Sequence, residues 1–275
     1  MKLCVWYALL ATLGTWLVSA LGATAVLMFK SQNERATDVL TGFAAGVMLA
    51  ASFWSLLQPA AELAAEGGGT PWLVVTGGFC AGAGFMIGSQ KAFFAWKRRK
   101  TLRAAPHRNG AAKRPQGPQT GGLLSLISIT LHNIPEGLAV GVAFGALERE
   151  GYAPAAVAAA VGVAVGIGLQ NFPEGAAVAF PLRRAGLSRG KSFFIGQASG
   201  FAEVPAGVIG AAAVGSSQAI LPCALAFAAG AMVLVTVHEL LPDCQRRRGG
   251  ENAFAATLGA LGGFALMTAM DVGLG

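Results

Sequence analysis

The sequence predicts an all-α integral membrane protein with eight transmembrane helices. The chain has 275 residues, of which 54% are hydrophobic and only 12% are charged, whereas about 25% of the residues in a soluble domain are charged. Its apolar residues gather in eight stretches, and each has the ~20 residues that a helix needs to cross a hydrocarbon layer of ~30 Å. The stretches lie at about 4–29, 38–61, 72–95, 122–147, 153–182, 192–213, 219–241 and 252–272.

The first stretch also has features of a secretory signal peptide. Lys2 precedes it, and the small residues from Ala20 to Ala23 resemble a cleavage site. It is, however, longer than the apolar core of about 7–15 residues that such a peptide has. Lys30 and Arg35 then follow it as a cytoplasmic flank would. We therefore predict that this stretch is the first membrane span.

The distribution of basic residues predicts the orientation of the chain. Of 20 Lys and Arg residues, all but Lys2 and Arg149 lie between spans 1 and 2, between Lys91 at the end of span 3 and Arg114, between spans 5 and 6, or between spans 7 and 8. Because cytoplasmic loops carry an excess of Lys and Arg, these loops are predicted to be cytoplasmic and both termini to lie outside. The net charge of +7 is thereby explained without nucleic acid as a partner.

The chain is predicted to form a single transmembrane domain over residues 1–275. Its one sizeable interruption is the segment at about 97–120, which is rich in Lys, Arg, Pro and Gly and has no apolar periodicity. Such a composition predicts a flexible cytosolic loop. The four cysteines lie far apart without CxxC spacing, which indicates neither a disulfide framework nor a thiolate zinc site.

Glycines are unusually frequent within the apolar stretches. The chain has 39 of them, and many recur every fourth residue, as at Gly137, Gly141 and Gly145 in span 4. Small residues at this spacing let transmembrane helices approach closely. They predict tight packing of the bundle and make a homodimer a candidate assembly.

Four ionisable side chains fall well inside predicted spans: His132 and Glu136 in span 4, Glu174 in span 5 and Glu203 in span 6. A charged side chain at the centre of a bilayer costs about 2.5–3.5 kcal/mol on insertion scales, so each such residue indicates a functional site. His238 and Glu239 lie nearer the cytoplasmic end of span 7.

A short motif occurs twice, on consecutive and therefore antiparallel spans. Span 4 contains HNIPEG from His132 to Gly137, and span 5 contains QNFPEG from Gln170 to Gly175. Residues i and i+4 share one face of a helix, so each copy stacks its first polar residue over its glutamate. Inverted repeats with interrupted helices at matching positions are typical of transporter binding sites.

The side chains of the two motifs suit a divalent cation. They offer the carboxylates of Glu136 and Glu174, the imidazole of His132, and amide oxygens from Asn133, Gln170 and Asn171. This donor set fits Zn²⁺ and also admits Fe²⁺, Mn²⁺ or Cd²⁺. A bound cation would offset the repulsion between the two carboxylates, and Glu203 could complete a second coordination sphere.

The two motifs resemble the signature of the ZIP family of divalent-metal transporters. Neighbouring strings, GFAAGVMLAASFWSLLQPA, GLQNFPEGAAVAFPLR and ALAFAAGAMV, are similar to its gufA-like branch. The resemblance covers nearly the whole chain. It implies a 3+2+3 bundle, in which the first three and last three spans form an inverted repeat around spans 4 and 5.

The resemblance also implies a binuclear metal centre between spans 4 and 5. One ion would take His132, Glu136, Gln170 and Glu174; the second would share Glu136 and Glu174 and add Asn133, Asn171 and Glu203. His238 and Glu239 match a polar pair on the cytoplasmic release path of family members. Many family members have histidine at the position of Gln170, and some have aspartate at that of Asn171.

Two positions on span 2 are less defined. The resemblance implies a ligand from this span, and either Ser52 or Ser55 could provide it. Gln58 and Glu62 are predicted to line or flank the outer mouth.

Two other classes of function compete with a carrier. The run from His238 to Pro242 begins like the HExxH motif of zinc proteases, but proline occupies the position of the second histidine, which argues against a metalloenzyme. A metal-binding sensor or receptor that does not transport the ion is the alternative function. The expected function is transport of zinc or a related divalent cation into the cytoplasm. The expected location of the protein is the plasma membrane.

Overall fold

The computed structural model is helical throughout the parts of the chain that it describes, residues 2–29, 33–67, 70–104, 118–184, 186–246 and 251–274, and these parts contain no strand. The α-helices are α1 (Leu3–Ala23), α2 (Ala25–Met28), α3 (Glu34–Ala51), α4 (Gln58–Glu66), α5 (Pro71–Ala104), α6 (Pro118–Glu150), α7 (Pro154–Arg184), α8 (Arg189–Gly200), α9 (Glu203–Ser216), α10 (Leu221–Val235), α11 (Leu241–Arg246) and α12 (Ala253–Leu274).

The predicted membrane bundle is confirmed. Within the described residues, 7 helical stretches are long and apolar enough to cross a membrane, and they coincide with predicted spans 1–3 and 5–8. The fourth predicted stretch lies within α6, which has 33 residues. Its role as an eighth span, and the position of both termini outside, stay predictions.

The helices around the predicted cytosolic loop are longer than the sequence indicates. Helix α5 continues to Ala104 and α6 begins at Pro118, so both extend into the segment predicted as a loop at about 97–120. Lys, Arg and Ala favour helix intrinsically, and a helix that has left the hydrocarbon needs no apolar stripe. Residues 105–117 lie outside the described part.

Span 6 is predicted as one continuous helix but is interrupted. A turn at Phe201 and Ala202 separates α8 from α9. Pro205 has no backbone N–H, and its ring conflicts with the carbonyl four residues earlier, at Phe201. The interruption makes Glu203 the first residue of α9.

Spans 2 and 7 each contain a π-helical turn, at Ser52–Leu57 and Thr236–Leu240. The residues before these turns repeat, with FAAGVM at Phe43–Met48 and FAAGAM at Phe227–Met232. The two spans therefore share sequence and local conformation. Such π-turns in α-helices are frequent at functional sites.

The helix pairs follow an inverted repeat. Span 2 packs on span 8 and span 3 on span 7, while span 4 packs on span 6 and span 5 on span 1. Exchanging spans 1–3 with spans 6–8, and span 4 with span 5, returns the same set of pairs. The 3+2+3 arrangement predicted from the sequence is thus visible in the packing.

Glycines allow these pairs to approach closely at equivalent points. A Cβ atom on Gly46 would lie 1.9 Å from the carbonyl oxygen of Ala260, and one on Gly230 would lie 2.0 Å from that of Phe79. Backbone thus packs against backbone. The same holds where span 4 meets span 6 and span 5 meets span 1, at Gly137 and Gly175.

The spans form two four-helix units. We call spans 1, 4, 5 and 6 the site unit, and spans 2, 3, 7 and 8 the frame unit. The units meet mainly where α3 packs on α7 and where α10 packs on α6. These two contacts are equivalent in the inverted repeat, because it maps span 2 onto span 7 and span 5 onto span 4.

A tight turn joins the two motif-bearing helices at the predicted outer face. Gly151 and Tyr152 have φ values of 59° and 58°, a left-handed conformation that reverses the chain in few residues. The Tyr152 hydroxyl donates a hydrogen bond of 2.7 Å to Glu148. Partial burial and this carboxylate raise the pKa of Tyr152 to about 12, so the hydroxyl keeps its proton at neutral pH.

We expect Gly46→Ala to destabilise the bundle far more than Gly262→Ala. The first change places a methyl group against the backbone of α12, whereas a Cβ atom at Gly262 meets nothing within 4 Å. Overpacking costs about 1–3 kcal/mol where side chains can move, and a backbone carbonyl can yield less. Thermal unfolding of the purified variants in detergent would measure the difference. Equal melting temperatures would contradict the packing described.

Candidate metal site

The structure gathers most of the predicted metal-binding residues in the middle of the site unit. Glu136, Gln170 and Glu203 are at most 1% exposed, and Glu174 is half-buried. His132 lies one turn before Glu136 in α6, and its side chain is outside the described part. The two remaining residues, Asn133 and Asn171, are also buried.

The two motifs touch through Glu136 and Gln170. The Nε2 atom of Gln170 donates a hydrogen bond of 2.6 Å to Oε1 of Glu136. The same atom donates to Oδ1 of Asn171 at 2.9 Å. Antiparallel α6 and α7 thus bring the first position of one motif to the glutamate of the other.

Glu203 joins this network from the start of α9. Its Oε1 atom accepts a hydrogen bond of 2.8 Å from Nδ2 of Asn171. Its Oε2 atom lies 2.5 Å from the hydroxyl oxygen of Thr15, a buried residue of α1. Thr15 and Asn171 each contact one oxygen of this carboxyl group and together fix its position.

The two motif asparagines make equivalent backbone contacts. The Nδ2 atom of Asn133 donates to the carbonyl oxygen of Ser199 at 2.9 Å, and that of Asn171 donates to the carbonyl oxygen of Thr15 at 3.3 Å. The inverted repeat exchanges these contacts. Both amides therefore orient through their N–H groups, which leaves their oxygens as acceptors.

The donor set fits a cation. Among the described residues, Oε2 of Glu136 and Oε1 of Gln170 are buried without a hydrogen-bond partner. The charge of Glu136 interacts with those of Glu174 and Glu203. The described carboxylates do not by themselves form a metal-binding group of three, so amide oxygens or His132 would have to contribute ligands.

A cavity of about 610 Å³ opens at the predicted outer end of the bundle. It lies between the two units, and acidic side chains line it at Glu62, Glu150 and Asp271. Gln58 also lines it and donates to Glu62 at 3.0 Å, as predicted for the outer mouth. We call this cavity the outer vestibule.

The vestibule ends above the buried polar network. Its deepest lining residues on α6 and α7 are Ala143 and Val163, each seven residues from Glu136 and Gln170 respectively. Seven residues of helix correspond to about 10 Å. Val140 and Ile167, both fully buried, lie on the intervening turns.

The two candidate ligands on span 2, Ser52 and Ser55, form hydrogen bonds outside the buried network. Ser52 donates to the carbonyl oxygen of Met48 in its own helix at 2.7 Å, and Ser55 donates to Asp271 at 2.6 Å. No hydrogen bond in the described part of the chain joins either serine to the buried network. Ser55 instead lines the outer vestibule.

The predicted cytoplasmic pair lies in the π-helical turn of span 7. His238 is exposed and Glu239 half-buried; Oε1 of Glu239 accepts a hydrogen bond of 2.5 Å from Gln90. The inverted repeat maps Ser55 onto Glu239 and Asp271 onto Gln90. The contact at the inner end is therefore the counterpart of the Ser55–Asp271 contact at the outer end.

Three polar residues of this arrangement were missed by sequence reasoning. Asp271 and Gln90 could have been found by aligning the repeated strings of spans 2 and 7 and extending the alignment to spans 3 and 8. Thr15 had no such signal, because a threonine in an apolar helix usually bonds to its own backbone.

The fold and site define a class of protein. A polytopic helical bundle with an inverted repeat, a vestibule and a buried carboxylate–amide network is that of a membrane carrier for a cation. Comparison with known proteins identifies the family. Residues 103–271 match the family described as ZIP Zinc transporter, and the chain belongs to this family, whose members are transporters.

Named relatives resemble the chain over nearly its whole length. Zinc transporter ZIP11 of Homo sapiens is 39% identical over 98% of this chain and 98% of its own. Zinc transporter GufA of Myxococcus xanthus is 34% identical over 97% and 98%. Zinc transporter ZIPB of Bordetella bronchiseptica is 34% identical over 98% of this chain and 82% of its own.

We expect Thr15→Val to weaken metal binding without unfolding the protein. The change removes the hydroxyl beside Glu203, and loss of a partner that orients a ligand typically costs about 10–100-fold in metal affinity. Thr12→Val is the matched control, because the Thr12 hydroxyl bonds within its own helix. Metal titration by calorimetry, with melting temperature measured in parallel, separates the two. Equal affinities for both variants would exclude a role for Thr15.

Proposed function

We propose that the protein carries Zn²⁺ across the membrane into the cytoplasm through the network between α6 and α7. The observation that carries this proposal is the pair of buried oxygens, Oε2 of Glu136 and Oε1 of Gln170, that have no partner among the described residues. A buried polar atom without a partner costs about 1–3 kcal/mol, and coordination of a cation removes that cost.

We further propose that the site holds two ions. The first would be bound by His132, Glu136, Gln170 and Glu174. The second would share both glutamates and add Asn133, Asn171 and Glu203. The network supports this division, because Gln170 contacts Glu136 while Asn171 contacts Glu203, so one motif faces two carboxylates.

The proposed path follows the seam between the two units. A cation enters the acidic outer vestibule, loses water and reaches the network, which belongs entirely to the site unit. Rocking of the site unit against the frame unit then gives access from the other side. Because the inverted repeat relates the outer and inner ends, His238 and Glu239 are proposed to line the release path.

Selectivity should be moderate. Carboxylate and amide oxygens are harder ligands than imidazole or thiolate. Fe²⁺ and Mn²⁺ are therefore proposed as competing substrates, together with Cd²⁺, which the imidazole of His132 would admit. The plasma membrane is proposed as the location of the protein.

A homodimer is also proposed. The glycines of span 4 at Gly137 and Gly141, and Gly78 and Gly82 of α5, pack against other helices of the same chain. The open glycines of α5, at Gly77, Gly84 and Gly88, offer a surface to a second copy instead. Chemical cross-linking in liposomes would detect it.

The second candidate function is a metal sensor that binds without transport. The outer vestibule, which stops short of the buried site, is compatible with both functions. Uptake by purified protein in liposomes distinguishes them, with Zn²⁺, Fe²⁺, Mn²⁺ and Cd²⁺ in competition. No flux of any ion, together with saturable binding, would reject the carrier.

Replacing the bridging carboxylate should be more damaging than replacing the peripheral one. Glu136→Ala is expected to abolish uptake nearly completely, because both ions lose a ligand. Glu203→Ala should leave measurable but altered uptake, and Glu251→Ala, an exposed carboxylate outside the site, should leave it unchanged. Initial rates in liposomes at matched protein amounts measure this order. Near-normal flux in Glu136→Ala would exclude the proposed centre.

Gln170→His should raise affinity for Zn²⁺ relative to Mn²⁺. A neutral imidazole nitrogen suits Zn²⁺ better than an amide oxygen does, whereas Mn²⁺ prefers oxygen. Maximal flux is expected to fall as affinity rises, because a carried ion must also leave. Concentration-dependent uptake of both metals gives the ratio. An unchanged ratio would show that Gln170 does not coordinate the transported ion.

A further inference from the structure

A methionine side chain fills the seam between the two units just below the outer vestibule. Met267 lies on α12 of the frame unit and is 1% exposed. A Cβ atom placed on Gly166 of α7 would overlap the sulfur atom of Met267 and would lie 2.8 Å from its terminal methyl carbon. The thioether therefore occupies the hollow that Gly166, which has no side chain, leaves on the site unit.

This hollow lies between the vestibule and the buried network. Asp271, which lines the vestibule, is one helical turn from Met267 on α12. Gln170, whose amide contacts Glu136, is one turn from Gly166 on α7. Residues four apart share one face of a helix. The thioether thus has the carboxylate of Asp271 on its outer side and the amide of Gln170 on its inner side.

The polar groups on both sides of the thioether have spare acceptors. Oδ2 of Asp271 and Oε1 of Gln170 are buried and have no hydrogen-bond partner in the described part of the chain. A cation that moves from the vestibule to the network would meet these two oxygens in turn, with the sulfur of Met267 between them. The three side chains thus offer successive ligands through the seam.

Met267 can move without a shift of its helix. An unbranched side chain with three rotatable bonds adapts more readily than a β-branched one, which is stiff at its first torsion. Val140 and Ile167, which also lie between the vestibule and the network, are β-branched and fully buried. Of these three side chains, Met267 is the one that can leave the passage by a change of rotamer.

The inverted repeat places a second methionine at the equivalent position near the inner end. The exchange that maps Asp271 onto Gln90 also maps Met267 onto Met86, which is fully buried on α5. In each half, a methionine lies one turn closer to the membrane centre than the polar residue at that end. A carrier with alternating access needs a closure at each end, and the two methionines stand where such closures are needed.

We propose that Met267 is the outer gate of the buried site and that its thioether is a transient ligand of the passing cation. The passage is closed while the thioether lies on Gly166, and a change of rotamer opens it. Thioether sulfur is a soft donor, which suits Zn²⁺ better than Mn²⁺. The role as a ligand rests on the proposed carrier function, whereas the closure of the passage does not.

Thiol accessibility tests the closure without any flux. A cysteine introduced below the gate, as Gln170→Cys, reports access through its reaction with 2-aminoethyl methanethiosulfonate in detergent, followed by mass spectrometry of the peptides. Adding Met267→Ala should speed this reaction at least tenfold. Adding Leu266→Ala, at a neighbouring position that is 42% exposed, should leave the rate unchanged. Equal rates with Met267→Ala and Leu266→Ala would overturn the gate.

Two controls keep this test decisive. Cys80 is exposed and lies outside the seam, so its reaction in the same samples should be equal in all variants. Melting temperatures identify a variant that does not fold, and Met267→Val, which keeps more of the packing, then replaces Met267→Ala.

Met267→Leu tests the role of the sulfur. Leucine keeps most of the volume, so the introduced cysteine should stay as slow to react as with Met267. The ratio of Zn²⁺ to Mn²⁺ uptake at subsaturating concentrations should fall several-fold, because only the soft donor is lost. An unchanged ratio would overturn the role as a ligand. Absence of uptake of both ions by the wild type would reject the carrier alone, because the accessibility test needs no flux.

Discussion

The need to bury carboxylates in hydrocarbon governs the architecture of this protein. Each charged side chain at the membrane centre costs about 2.5–3.5 kcal/mol on insertion scales. The structure offsets this cost with one connected network, which runs from Glu136 through Gln170 and Asn171 to Glu203 and Thr15. The network crosses α6, α7, α9 and α1, so satisfying its polar groups fixes how these four helices meet.

The glycines of the site unit follow from that requirement. A polar network of short side chains closes only if the backbones are close, and lipid provides no hydrophobic force that would press helices together. Gly137 packs against the carbonyl of Glu203, and Gly175 packs against that of Ser19. Each is the residue after a motif glutamate. The motif therefore combines a proposed metal ligand with the small residue that lets the neighbouring helix approach it.

The sequence was sufficient for the spans and the two motifs because both rest on local patterns. Apolar length predicts a span, and an ionisable residue within it predicts a site. The role of Thr15 was not predictable, since it arises from the crossing of α1 with α9, which no local pattern encodes. The break before Glu203 had a visible cause in Pro205. Similar prolines in the motifs, Pro135 and Pro173, leave their helices continuous, so a proline alone does not decide the outcome.

Equivalent helix pairs recur across the inverted repeat, but the polar residues at its two ends differ. At the outer end the carboxylate of Asp271 meets the hydroxyl of Ser55; at the inner end the carboxylate of Glu239 meets the amide of Gln90. Each of these contacts contains one carboxylate. At the outer end it belongs to span 8, as Asp271, and at the inner end it belongs to span 7, as Glu239. The buried site contains three glutamates, Glu136, Glu174 and Glu203, of which Glu136 and Glu203 belong to the hydrogen-bonded network. Under the proposed function, a cation is attracted at both ends and bound most strongly in the middle. Weak sites at both ends would then allow the ion to enter and to leave, and the proposed movement of the site unit would decide which end is open.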